Sequence, residues 1–399
     1  MRRIGIRIAI VVCLGLAAVG VWWKFGDAHY AERCREALKD RRWEELASLS
    51  QAWSASEPKN SESWLLRAEA ANQRRDFVAA DGFLAKVPPT SDFGVRALEA
   101  RIELQFGALN QPLAAVESCL SLLQCDPKSK VAHQRLIFFY AFSLQRRKLI
   151  DEARVAISRE CEPREAYGYL FLADSLLLSN ADAQNARWLE PDPTNELFAA
   201  AQAVHIAESL EGQIPRDDPV FLAKIKEGLE QRDEALRKLL EKYPHNLELL
   251  AFLLRQSVER GDVARVQELL LQSPAEAEFD NRFWRFRGWL LQNDNELTEA
   301  EAAYRQALKL HPLDWSTRHL LAGLMRRKGE LAEAERLEQI VLHANQLRRQ
   351  FVEQPTMRAI PPRLLKQLAD YAAECDDSLI AETLHAQLSR FGGASGSRK

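Results

Sequence analysis

The stretch Asn281–Asp314, NRFWRFRGWLLQNDNELTEAEAAYRQALKLHPLD, decides the fold. Counting Asn281 as position 1, Trp284, Gly288, Leu291, Ala300, Tyr304, Ala307 and Pro312 fall at positions 4, 8, 11, 20, 24, 27 and 32. Two apolar runs at helical spacing flank the polar turn Asn293-Asp294-Asn295-Glu296. That turn lacks the length and the glycine of a calcium loop. Small residues at positions 8 and 20 let the two helices of a pair approach closely, and large residues fill the space on either side. Pro312 cannot continue the second helix and ends it.

The same phase runs outward in both directions. Leu247–Asp280 carries Leu250, Leu253, Leu254 and Leu270 around the turn Glu259-Arg260-Gly261-Asp262. Trp315–Arg348 carries Leu321, Ala322, Met325, Gly329 and Ala334, with a second helix longer than usual. Weaker copies cover Asp27–Asn60 (Tyr30, Cys34, Leu46, Trp53, Pro58), Ser61–Gly94 (Trp64, Ala68, Ala71, Ala80, Leu84) and Arg96–Ser129 (Ile102, Phe106, Ala115, Leu122, Pro127). Pro362–Ser395 reads as a final helical pair or cap. This array resembles the tetratricopeptide repeat (TPR) family, in its membrane-anchored bacterial form. The best unit departs from the family pattern at position 7, where Arg287 replaces leucine, and at position 11, where Leu291 replaces an aromatic residue. The resemblance implies an all-α, right-handed superhelical solenoid of antiparallel helix pairs in which neighbours bury one another's faces.

The expected organisation is a membrane anchor at 1–26, degenerate TPR-like units at 27–129 and an irregular helical segment at 130–246. TPR units follow at 247–348, then a terminal pair or cap at 349–391 and a disordered tail at 392–399. Within the irregular segment, helices are expected at 137–145, 150–158, 167–178, 196–210 and 219–243, with 179–195 a loop. Low glycine and proline, 17 and 16 among 399 residues, exclude a turn-rich sandwich, collagen and a disordered linker. A net charge of −3 disfavours a protein built to neutralise nucleic-acid phosphates.

The N-terminus stands apart. Ile8–Trp23 carries no charge over sixteen residues, and counting from Ile4 gives twenty, with Arg7 near one end. Twenty helical residues span about 30 Å, the thickness of a hydrocarbon core. Ile4, Ile8, Val12 and Leu16 belong to this apolar run, and Trp22 and Trp23 stand at the interfacial level, followed by Lys24. A retained single-pass anchor is the expected reading, with a cleaved signal peptide as the alternative. Arg2, Arg3 and Arg7 favour a cytoplasmic N-terminus and an extracytoplasmic or periplasmic repeat domain. Cys13 sits too early in the run, after the bulky Val12, for a lipidation site. The five other cysteines are scattered, form no C-x-x-C pair and read as small buried hydrophobes.

No nucleotide-binding glycine loop, H-E-x-x-H or G-x-S-x-G motif is present. The histidines are dispersed, and Asp192, Asp217 and Asp218 lie in proline-flanked loops as turn or cap residues. Neither cofactor nor metal is expected. Trp43, Trp53 and Trp64 are expected to pack between helices, with a membrane-facing surface as the alternative.

In the TPR family the first helix of each unit lines the inner groove through positions 2, 5, 9 and 12. Carried onto this sequence, those positions give Arg255, then Arg282, Arg285, Trp289 and Gln292, then His319 and Arg326. The resemblance thus implies a groove of cations around an aromatic, suited to a peptide carboxylate or an acidic segment. The lysine–asparagine pair of chaperone-tail clamps is absent. The chain is therefore expected to be a membrane-tethered, non-catalytic scaffold for a protein partner, in complex assembly or envelope biogenesis. A regulatory subunit or atypical enzyme with a site in the irregular middle, 179–216, is the alternative.

Overall fold

The computed structural model describes residues 29–176, 178–211, 219–354 and 356–396. The expected anchor, with Ile4, Ile8, Val12, Leu16, Trp22 and Trp23, lies outside them. Among the described residues every regular element is helical, and no helix is long and apolar enough to cross a membrane. The chain divides into two compact units between Pro127 and Lys128.

The first unit holds three helix pairs. They are α1 (29–39) with α2 (Trp43–Ser56), α3 (Ser61–Gln73) with α4 (Phe77–Leu84), and α5 (Gly94–Phe106) with α6 (Pro112–Cys125). Cys34, Ala37, Leu46, Trp53, Leu66 and Ala70 form one core cluster, and Leu65, Ala68, Ala80, Leu84 and Leu104 belong to the next. Trp53 is buried, while Trp43 and Trp64 pack partly exposed against these clusters. The Arg67 guanidinium covers Phe83 at 4.2 Å and Trp64 at 5.4 Å.

The second unit begins with α7 (Lys130–Phe142) and α8 (Arg146–Ser158), then α9 (Glu165–Phe171) and a 3₁₀ turn, Ala173–Ser175. It continues with α10 (Ala181–Leu189), α11 (Glu196–Glu211), α12 (Pro219–Lys242), and the pair α13 (Leu247–Arg260) and α14 (Val263–Leu271). The remaining pairs are α15 (Asn281–Asn293) with α16 (Leu297–Leu310), α17 (Trp315–Lys328) with α18 (Leu331–Val352), and α19 (Pro362–Glu374) with α20 (Ser378–Gly396).

Turn geometry carries the period. A residue with left-handed backbone closes the turn inside each of seven pairs, at Arg41, Arg75, Asn110 and Leu144 and again at Gly261, Asn295 and Gly329, at intervals of 34 or 35 residues within each series. The 130–158 stretch, expected to be irregular, therefore keeps the repeat phase. Side-chain caps start many of the helices: Asn60, Asp76, Ser129, Asn246, Asp262, Asp280 and Asp314 each accept a backbone N–H of the first turn. At the centre of α15, a Cβ on Gly288 would lie 2.6 Å from the Tyr304 ring of α16. The small residue at position 8 and the aromatic at position 24 are thus two halves of one contact.

Three further expectations change. The single helix expected at 167–178 ends at Phe171 as α9 and gives way to the 3₁₀ turn Ala173–Ser175. Residues 181–189, expected as loop, form α10, entered through Asn180 in the left-handed region (φ 63°). Its Trp188 is buried against Phe139 and Phe198 at 5.4 and 5.3 Å, so tertiary burial overrides the flanking prolines. Helix α20 runs through Gly396, into the stretch expected as a tail.

The second unit also closes on itself. Its early helices α8 and α9 pack against its last elements. Arg154 on α8 makes a bidentate pair with Asp377, at 2.7 and 3.0 Å. Phe171 on α9 meets Phe351 and Tyr371 at 5.3 and 5.4 Å. A Cβ on Gly168 would lie 2.8 Å from Met357 Sδ and 3.2 Å from Ile360.

Candidate functional site

The first helices of three consecutive pairs, α13, α15 and α17, converge with α18 on a pocket of about 510 Å³. Arg255 and Val258 come from α13, Arg285 and Phe286 from α15, Trp315, His319 and Leu320 from α17, and Arg348 from α18. Asp174, Ser175, Glu208, Glu259 and Ser316 complete the wall with oxygen atoms. The Arg348 guanidinium stacks 4.7 Å from the Trp315 ring centroid. Arg255 stacks on Phe252 at 4.9 Å and pairs with Glu259 at 3.3 Å.

Below the pocket lies a buried layer of paired charge. Arg282 and Arg285 are only 5% and 7% exposed. Arg282 donates to Glu248 at 2.6 and 2.9 Å and to Asp280 at 2.7 Å. Arg285 donates to Asp174 at 2.7 Å and to both oxygens of Asp314 at 3.0 Å. Arg146, arriving from α8, donates to Glu248 at 3.0 Å and to the Ala173 carbonyl at 2.5 Å. Burial works against the charge of both Arg282 and Arg285, and the facing carboxylates more than offset it, holding both above the ordinary arginine range. Burial pushes the Asp314 carboxyl up, but Arg285 and the Thr317 hydroxyl outweigh it and hold the group below its usual value. An unpaired charge at this depth costs several kcal/mol, so each arginine here is retained with its acid.

The seven groove residues therefore separate. Arg255, Arg285 and His319 come together at one pocket. Arg282, expected to face the groove, lies beneath it, because Glu248 and Asp280 already surround its guanidinium. Trp289, half-buried, is not among the pocket's lining residues, nor is Gln292, whose side chain accepts the Tyr304 hydroxyl at 3.1 Å. Arg326 is exposed and pairs with Glu338. Sequence reasoning missed Arg348 and Asp174. Arg348 reaches the pocket because α18 is 22 residues long, and the unusual length of that helix was its only signal. Asp174 comes from outside the repeat, 111 residues before its partner, and left no local signal.

Among the described residues no group of histidine, cysteine, aspartate or glutamate side chains is placed to hold a metal ion. Asp192 accepts the Thr194 backbone N–H and hydroxyl at 3.0 and 2.7 Å, which is turn chemistry. Asp217 and Asp218 lie outside the described residues.

No family model matches the chain, and no curated protein matches it. Solved structures similar to it include a tetratricopeptide repeat protein from Parabacteroides merdae, 12% identical, covering 75% of this chain and 98% of that one with a TM-score of 0.26. Pseudomonas aeruginosa PilF is 19% identical over 61% of this chain and 93% of its own, with a TM-score of 0.29. PilW, a type IV pilus biogenesis factor, is 16% identical over 56% and 96%, again with a TM-score of 0.29. At these TM-scores the likeness carries nothing about function.

Proposed function

We propose that the chain is a membrane-tethered interaction scaffold that holds an acidic, apolar-flanked segment of a protein partner in the pocket between α13, α15, α17 and α18, without catalysis of its own. The pocket carries the reading. Its walls pair apolar surface from Phe286, Trp315 and Leu320 with the cationic groups of Arg255 and Arg348 and the imidazole of His319. A guanidinium stacked on an indole binds carboxylate through charge-assisted hydrogen bonds while the ring next to it takes an apolar side chain. The tether rests on the sequence of residues 1–26, with the N-terminus cytoplasmic and the helical units on the far side of the membrane.

The test is affinity capture after crosslinking in intact cells, with the native chain beside Trp315→Ala/Arg348→Glu. A discrete partner captured by the native chain and lost in the double variant is the expected result. The same partners captured by both chains would overturn the groove reading. Arg285 is a poor target for this purpose, because its truncation leaves Asp314 buried without its cation.

A further inference from the structure

After proline, glycine is the least favourable residue inside a helix, because it gives up the most backbone freedom and brings no side-chain contact. Two glycines near the pocket have a structural use. Gly288 makes room for the Tyr304 ring, and Gly329 closes α17 in the left-handed region (φ 83°). Gly323 has neither. It stands inside α17, it is exposed, and a Cβ built on it meets nothing within 4 Å. What sets it apart is its place. His319 and Leu320, four and three residues before it, both line the pocket. Residues three and four apart on a helix are surface neighbours. Gly323 therefore continues the pocket wall along α17 and leaves a notch at its edge. Gly82 on α4 and Gly228 on α12 also meet nothing within 4 Å, but neither stands three or four residues from a residue of this pocket.

We infer that the partner segment leaves the pocket over Gly323, its main chain crossing α17 in extended form where no Cβ stands. The inference rests on the groove reading above and adds the conformation and register of the bound segment. Close approach of a foreign backbone is what the missing Cβ permits. A helical partner would meet α17 with its side chains instead, since they stand out beyond its backbone. From His319 to Gly323 is about 6 Å along the helix axis. An extended chain covers that distance in about two residues. An acid held beside His319 and Arg348 thus lies about two residues from the backbone that crosses at Gly323.

The test is photocrosslinking in intact cells from a photoreactive residue in place of Ser316, which lines the pocket two turns before Gly323. Adduct yield is compared at graded expression levels for the native chain, Gly323→Ala and Gly323→Leu, with Gly82→Ala as the control. Urea unfolding of the same chains verifies that each is folded. The expected result has two opposite signs. Gly323→Ala unfolds at a higher urea concentration than the native chain, since alanine is the better helix former. It also yields about tenfold less adduct, the effect of one methyl group forced into a packed contact. Gly323→Leu yields none, and Gly82→Ala keeps the native yield. Undiminished adduct from Gly323→Ala overturns the inference, because a side chain then fits where the bound backbone was placed. An equal loss in Gly82→Ala overturns it too, since the effect then has nothing to do with the pocket. Failure of the groove reading looks different: the native adduct is then missing or survives Arg348→Glu, and the inference falls with it.

Discussion

Gly288 and Gly323 are both interior helix residues, and the structure assigns them opposite costs. A methyl group on Gly288 collides with the Tyr304 ring, whereas a Cβ on Gly323 meets nothing within 4 Å. Gly288→Ala should therefore lose about 1–3 kcal/mol by overpacking, while Gly323→Ala gains up to about 1 kcal/mol from helix propensity. Urea unfolding of the two variants separates the effects. His205 predicts a pH dependence. Burial pushes its imidazole down to about 4, against the partial compensation of its contact with the Phe142 carbonyl at 3.0 Å. The unfolded state then binds the extra proton, so stability is intact above the ordinary histidine value and drains away as pH falls toward 4. At about 1.4 kcal/mol per pKa unit, the loss through this residue is about 3 kcal/mol. His205→Gln should flatten the stability profile across that window in chemical-denaturation curves. At this scale the need for a small residue at Gly288 was legible from its place in the repeat, while its partner, the Tyr304 ring, emerged only in the structure. The burial of Arg282 was not legible. Spacing places a side chain on a face but does not say whether carboxylates from other segments already wait there.

Among the elements, Asp314 does two jobs that one substitution exposes together. It caps α17 through the Thr317 backbone N–H and holds Arg285 through both oxygens. Asp314→Ala leaves a buried arginine with Asp174 alone and should cost about 3–5 kcal/mol. Asn60→Ala removes a cap, with the Ser63 N–H as its lost partner, together with the Asn60 amide's bond to Glu57, and should cost about 1 kcal/mol. Thermal melts of both variants test the contrast. The helix pairs were readable because their signals are local: apolar residues at helical spacing, a short turn between two runs and small residues at fixed offsets. The phase even continues through Leu144, where the apolar pattern looked irregular. Helix α10 escaped because Pro191 and Pro193 and a polar sequence mark its surroundings as loop. What stabilises it is distant, the burial of Trp188 among Phe138, Phe139 and Phe198.

For the molecule as a whole, the closure of the second unit is the feature that no repeat pattern reveals. A period reports on neighbours in sequence, whereas Arg154 and Asp377 are 223 residues apart. Arg154→Ala leaves the buried Asp377 carboxylate without its bidentate partner. The loss should be about 1.5–3 kcal/mol, and hydrogen exchange should accelerate in α8 and α20 together. Acceleration confined to α8 would mean that the two ends of the unit are not coupled. Contacts within this unit also make the pocket what it is, since Asp174 reaches it, and Arg146 the charge layer next to it, only because residues 146–175 return to α13 and α15. The central claim, that this pocket is where a partner segment binds, is tested most directly by site-specific photocrosslinking in intact cells. A photoreactive residue replaces His319, exposed at the pocket, or Val78, exposed in the first unit at 75%. The account predicts a discrete adduct from position 319, abolished by Arg348→Glu, and none from position 78. The same partner crosslinked from position 78 and not from 319 would contradict it.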